Sequence, residues 1–174
     1  MRPIWRRRSD GRVGHAYGGA ARSGGGSTVR RRDRDGYERA LVRETYSPRF
    51  SFSRDGRSFY YSQSAINERY DNYADIYRFD LETEETVKLF DEEGPGKSLR
   101  ARDPDVSPDG REIVFVRNRL HQNSVAIGTF GKDKGALAIR TLIAGHGDIQ
   151  HTSPRFAPDG KSIVVTTYNT GVPG

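Results

Sequence analysis

The sequence predicts an all-β chain built from repeated four-stranded antiparallel units, preceded by a disordered basic tail. Three observations predict it: a turn that recurs three times with matching apolar flanks, short aromatic and β-branched runs between turn signals from residue 46 onward, and a change of composition near residue 45.

The recurring turns are Ser53-Arg54-Asp55-Gly56, Ser107-Pro108-Asp109-Gly110 and Ala157-Pro158-Asp159-Gly160, their glycines 54 and then 50 residues apart. Proline presets φ near −65°, aspartate bonds its own backbone two residues on, and glycine accepts positive φ, so Pro-Asp-Gly closes a tight hairpin. Four residues before each glycine stand Phe52, Val106 and Phe156. After it come Phe59 and Tyr61, Ile113 and Phe115, Ile163 and Val165, with Tyr60, Val114 and Val164 between them. Second strands that are apolar at every position are expected to be buried on both faces.

Residues 1–45 hold 12 arginines against 5 acidic residues, while residues 46–174 hold 17 basic and 18 acidic ones, so the basic balance belongs to the leader. Its glycine runs and arginine triplets offer little to bury, and disorder over residues 1–45 is expected. Tyr37 to Glu44 reads as one helical turn or an edge strand, too short to decide. Few aromatics, Trp5, Tyr17 and Tyr37, stand among the arginines for bases to stack on, so no nucleic-acid partner is expected. No apolar run approaches the roughly 18 residues of a membrane helix, and no membrane insertion is expected. Without cysteine no disulfide or thiol chemistry is available. The basic start lacks the apolar segment of an export signal, which places the chain in the cytoplasm if it is complete as given.

The repeats divide residues 46–174 into units of about 46–90, 101–143 and 152–174. In the first, Asp75 to Asp80 and Thr86 to Phe90 form a second hairpin around Glu82-Thr83-Glu84; in the second, Val125 to Phe130 and Leu137 to Leu142 do so more weakly. The third has room for two strands, so open strand edges and self-association through them are expected.

Four-stranded units at this spacing look like propeller blades. SPDGREIVFVR, APDGKSIVVTT and ADIYRFDLETEETVKL resemble the WD40-like repeats of TolB-type β-propellers, which also occur in the non-catalytic propellers of prolyl-oligopeptidase-like and tricorn-like peptidases. The resemblance covers about Tyr46 to Tyr168, and Arg54 departs from it where proline is usual. It implies an incomplete propeller that acts as a non-enzymatic protein-binding module in the periplasm or cell envelope. The alternative it implies is a fragment of the gating propeller of a serine peptidase.

Loop residues flanking the starts of the second and third units, Arg102, Asp103, His146, Asp148, His151 and Arg155, are the candidates for contact with a protein partner. His146, Asp148 and His151 are also competent metal ligands by type, but a glycine-flanked loop is no preformed site, and no metal or cofactor is expected. Gly94-Pro95-Gly96-Lys97-Ser98 lacks the leading glycine of a phosphate loop, Asp91 standing in its place. No Gly-x-Ser-x-Gly elbow occurs, Asp55, Asp109 and Asp159 read as turn formers, and no catalytic residue is assigned.

Overall fold

A computed structural model describes residues 6–7, 13–20, 27–67, 71–90, 98–119, 122–131 and 137–171. Every regular element among them is a strand, and the strands form three antiparallel sheets in which sequence neighbours are spatial neighbours. The first sheet runs β1 (Arg6–Arg7), β2 (Val13–Ala20), β3 (Ser27–Arg32), β4 (Glu38–Phe52), β5 (Ser58–Asn67), β6 (Asp71–Asp80) and β7 (Thr86–Lys88). The second holds β8 (Ala101–Val106), β9 (Glu112–Arg119), β10 (Gln122–Phe130) and β11 (Leu137–Ile143). The third is the pair β12 (Ile149–Phe156) and β13 (Ile163–Asn169).

The recurring turns join β4 to β5, β8 to β9 and β12 to β13, and each closes by the same bond. Gly56, Gly110 and Gly160 donate to the carbonyls of Ser53, Ser107 and Ala157 at 2.9 Å, with φ between 70° and 75°. The aspartate of each turn accepts the backbone N–H two residues on, at 3.0 Å in all three.

Side chains alternate along a strand, and the sheets stack, so the middle strands are enclosed. Tyr60, Ile76, Phe90, Leu99, Ala101, Ile113, Phe115 and Ala126 form the core between the first and second sheets. Phe59, Tyr61 and Phe79 point the other way, into a second core with Val29 and Val42. On β9, Ile113 and Phe115 enter the first core, while Val114 and Val116 are equally buried on the face against which β12 packs. The expectation of two buried faces fails on β13, where Val164 is 69% exposed. No further sheet covers that side among the described residues.

The expected disorder of residues 1–45 differs from the structure over residues 27–45. There β3 and the first half of β4 form a hairpin whose Val29 and Val42 are buried at 1% and 7% exposure. Burying two valines contributes roughly 3–6 kcal/mol, which offsets part of the ordering entropy. The hairpin turns at Asp33-Arg34-Asp35-Gly36, where the Asp33 carboxylate accepts the Tyr37 N–H at 3.0 Å and Gly36 has φ 83°. This is a fourth aspartate–glycine turn, 20 residues before Gly56, hidden in the sequence because arginines surround its two valines.

Candidate interaction site

Each unit opens with a strand that carries one proline, Pro48, Pro104 or Pro154. Proline has no N–H for the ladder, so the pairing must skip there. The register shifts between Thr45 and Phe50, between Arg102 and Asp105, and between Thr152 and Arg155. Asp103 and Ser153, just before their prolines, take φ of 56° and 54°. Such bulges re-aim side chains, and here one carboxylate is turned into the junction of all three sheets.

That carboxylate is Asp103, 4% exposed. It accepts from the Ser47 hydroxyl on β4 at 2.8 Å, from Arg102 Nη1 at 3.1 Å and from the Thr152 hydroxyl on β12 at 3.3 Å. Its own N–H donates to Ser62 Oγ on β5 at 3.1 Å. Arg102 keeps 23% of its side chain in solvent, so the cluster offers one oriented guanidinium at its surface.

Beside it, Arg155 Nη1 donates to the carbonyls of Pro154 at 2.7 Å and Pro104 at 3.4 Å. Burial pushes the Arg155 pKa down and nearby Arg49 adds to this, while the Asp105 and Asp103 carboxylates oppose it. Asp105 accepts the Phe156 N–H across the second and third sheets at 2.8 Å, as Ser51 accepts that of Val106 across the first and second at 3.0 Å. Burial nevertheless raises the Asp105 carboxyl above its ordinary range, against the lowering effects of that N–H, of Arg155 and of the Ser51 hydroxyl.

The structure therefore brings Arg102, Asp103 and Arg155 together, with Ser47, Thr152 and Asp105. His146 and Asp148 stand apart, exposed in the turn before β12, where the His146 carbonyl accepts the Ile149 N–H at 3.0 Å. Two of the expected contact residues, Asp103 and His151, are buried, at 4% and 6% exposure. His151 Nδ1 lies 3.0 Å from the hydroxyl of Thr167, its cross-strand partner within the β12–β13 hairpin.

Among the described residues no group of three or more His, Asp or Glu side chains is placed to hold a metal ion. The glycine-rich segment Gly94–Lys97 lies outside the described residues; Ser98 lies within them and donates to Asp75 Oδ1 at 3.0 Å. A shallow cleft lined by Ser53, Arg54, Asp55, Tyr60, Val106, Asp109 and Gly110 lies between the first two recurring turns. Arg54 packs into it so closely that a Cβ on Gly110 would stand 3.1 Å from the Arg54 Cβ.

Sequence reasoning missed Ser47, Ser62, Thr152 and Asp75. Asp75, 1% exposed, fixes the connection to the second unit by accepting the Leu99 N–H at 2.7 Å and pairing with Lys88 at 3.2 Å. The second unit answers with Ser124, which accepts the Gly145 N–H at 3.1 Å. The only trace in the sequence was position: each of Asp75 and Ser124 stands immediately before an apolar strand run.

No protein-family model and no curated protein matches the chain. Solved structures match it along nearly its whole length. TolB from Acinetobacter baumannii superposes with a TM-score of 0.66 at 18% identity, covering 99% of this chain and 38% of that one. Apo prolyl oligopeptidase B from Galerina marginata gives 0.56 at 14%, covering 94% of this chain and 25% of that one. A putative 6-phosphogluconolactonase from Bacteroides uniformis gives 0.53 at 16%, covering 97% and 51%. The chain thus spans from a quarter to about half the length of these proteins. Likeness at such identities establishes fold and leaves activity open. The fold is that of a partial TolB-like β-propeller.

Proposed function

We propose that this chain is a non-enzymatic, protein-binding propeller segment of TolB type acting in the cell envelope. The observation that carries the reading is the buried Asp103, which locks the first strands of three units together and holds the partly exposed Arg102 in one orientation. An arginine pre-oriented on a rigid sheet junction gives up little entropy when it meets a partner's carboxylate or carbonyl, which is how interface anchors work. His146 and Asp148, exposed in the turn before β12, and Arg155 beside the cluster extend the contact surface.

The reading is tested by placing a photo-crosslinking residue at Arg102, His146 or Asp148 in the source cells, with Glu82 as the control position. One protein captured at the first three and absent at the fourth is the expected result, and it should be recovered from the envelope fraction. Equal capture at Glu82, or none at the three, would discard this surface.

A second reading, a piece of a peptidase's gating propeller, draws support from the likeness to prolyl oligopeptidase. The coding sequence beyond Gly174 separates the two. Further blades ending in a stop favour the binding protein; a hydrolase region with a nucleophile elbow favours the peptidase.

A further inference from the structure

An arginine can present Nε–H and Nη2–H side by side, a fork that meets both oxygens of a carboxylate at once. At the junction of the three sheets that fork is unspent twice. Arg102 gives Nη1 to Asp103 at 3.1 Å, and Arg155 gives Nη1 to the carbonyls of Pro154 and Pro104 at 2.7 and 3.4 Å. Among the described residues the Nε and Nη2 groups of both donate to nothing, and both side chains are partly exposed. Arg49 is exposed, and its guanidinium makes no hydrogen bond or ion pair among the described residues. Its backbone is tied to the same cluster: the Arg49 N–H donates to the Ser47 hydroxyl at 3.2 Å, and that hydroxyl donates to Asp103 at 2.8 Å.

The carboxylates of the cluster are already engaged. Asp103 spends Oδ1 on Ser47 and Oδ2 on Arg102 and Thr152, while Asp105 accepts the Phe156 N–H and the Ser51 hydroxyl. With both carboxylates ionised, the three guanidiniums leave one positive charge, the complement of a monoanion. Arg155 registers that surplus. Burial lowers its pKa, Asp105 opposes this, Arg49 adds to the lowering and Asp103 opposes it. An anion arriving beside Arg155 meets a partly desolvated charge, where Coulombic attraction is stronger than in open water.

We propose that Arg49, Arg102 and Arg155 form a receptor for one carboxylate, carried on an acidic side chain or the C-terminus of the protein partner. This rests on the protein-binding reading above and names the group that the partner brings. A carboxylate carries the single charge that the cluster lacks, whereas a phosphate group, at about −1.5 to −2, exceeds it. The site is also prepared before the ligand arrives. Asp103 holds Arg102, and the carbonyls of two prolines on β8 and β12 hold Arg155, so the cost of ordering these side chains is met in the free chain.

An NMR titration of the full chain that follows the arginine Nε–Hε signals tests the proposal at constant ionic strength. The probes are acetyl-Gly-Glu-Gly-amide, acetyl-Gly-Gly-Gly with a free C-terminal carboxylate, the neutral acetyl-Gly-Gln-Gly-amide, and inorganic phosphate. Saturable shifts at Arg102 and Arg155 are expected with one or both of the carboxylate peptides, and which of them binds tighter tells side chain from C-terminus. The neutral peptide should give none, and phosphate should bind more weakly. Arg49→Gln and Arg155→Gln should each weaken binding roughly tenfold, the loss of one charge-assisted hydrogen bond. Arg49 holds no other residue in place, so its variant keeps the fold and reads binding alone. Arg140→Gln, exposed on β11, should change nothing. No saturable shift, equal weakening by Arg140→Gln, or phosphate tighter than both carboxylate peptides would overturn it. The titration uses no partner, so its failure removes the carboxylate receptor and leaves the protein contact to the photo-crosslinking result.

Discussion

Asp103 does with one side chain what a hydrophobic core does with many: it fixes three sheets at one point. Its hydrogen-bond donors, Ser47, Arg102 and Thr152, lose their acceptor if it is truncated, and the Ser47 hydroxyl is buried where water has little access. Asp103→Ala is therefore expected to cost about 1–3 kcal/mol in urea unfolding, and Asp103→Asn less, because asparagine keeps an acceptor and tolerates the positive φ. Equal losses in the two variants would show that the hydrogen bonds are not what matters. Arg54 offers the opposite case. Its turn closes by the same 2.9 Å bond as the turns that hold Pro108 and Pro158, and Pro108 already packs against Gly160, with its Cδ 3.4 Å from where a Cβ would be. Arg54→Pro should thus stabilise the chain by about 0.4–1 kcal/mol, read as a higher urea midpoint. Sequence reasoning reached Asp103 as a loop residue and missed its burial, because Ser47 and Thr152 lie 56 and 49 residues away.

The recurring turn is the element on which the units are aligned, and two of its residues have separate physical tasks. Its glycine needs both positive φ and bare space. Gly110 has φ 75° with the Arg54 Cβ crowding the missing side chain, whereas Gly147 has φ 52° with nothing near. Gly110→Ala should lower the melting temperature clearly more than Gly147→Ala, since only the first adds a steric clash to the backbone strain. Its aspartate supplies a pH response. The serine hydroxyl and the backbone N–H of the arginine two residues on hold Asp55 and Asp109 below the ordinary value of 3.8. Their contribution is present above that value and is lost as pH falls through the lower folded pKa. Asp105 runs the other way: burial raises its pKa, so its favourable contribution is full below 3.8 and is lost as pH rises through the folded value. Relative to the parent chain, Asp105→Asn should gain stability toward pH 7 and lose that gain toward about pH 3, whereas Asp109→Ala should lose most near neutrality. Thermal unfolding across that range checks both slopes. The turns were legible in the sequence because their chemistry is local. The bonds between units, from Val106 N–H to Ser51 and from Phe156 N–H to Asp105, were not, since nothing in a single strand marks its neighbour across the stack.

For the molecule as a whole, the hairpin at residues 27–45 carries the strongest consequence. It covers Phe59, Tyr61 and Phe79, which have 0%, 1% and 5% exposure with it in place. A chain that starts at residue 46 should expose this face, bind an apolar dye such as ANS, and unfold at lower denaturant than a chain that starts at residue 27. If the two behaved alike, the second core would contribute nothing, and residues 27–45 would be the dispensable leader that their composition suggests.

The sequence by itself determined the strands, the turns and the repeat, because each rests on chemistry within about ten residues: alternation of side chains, the φ of glycine, the reach of an aspartate. It marked Arg102 and Arg155 as neighbours of the unit starts for the same reason. Only the tertiary structure decided that Asp103 and His151 are buried, that Val164 is bare while Val114 is enclosed, and that an arginine-rich leader closes a core. Those outcomes depend on which sheet lies against which, and that stacking is set by contacts between residues some fifty positions apart.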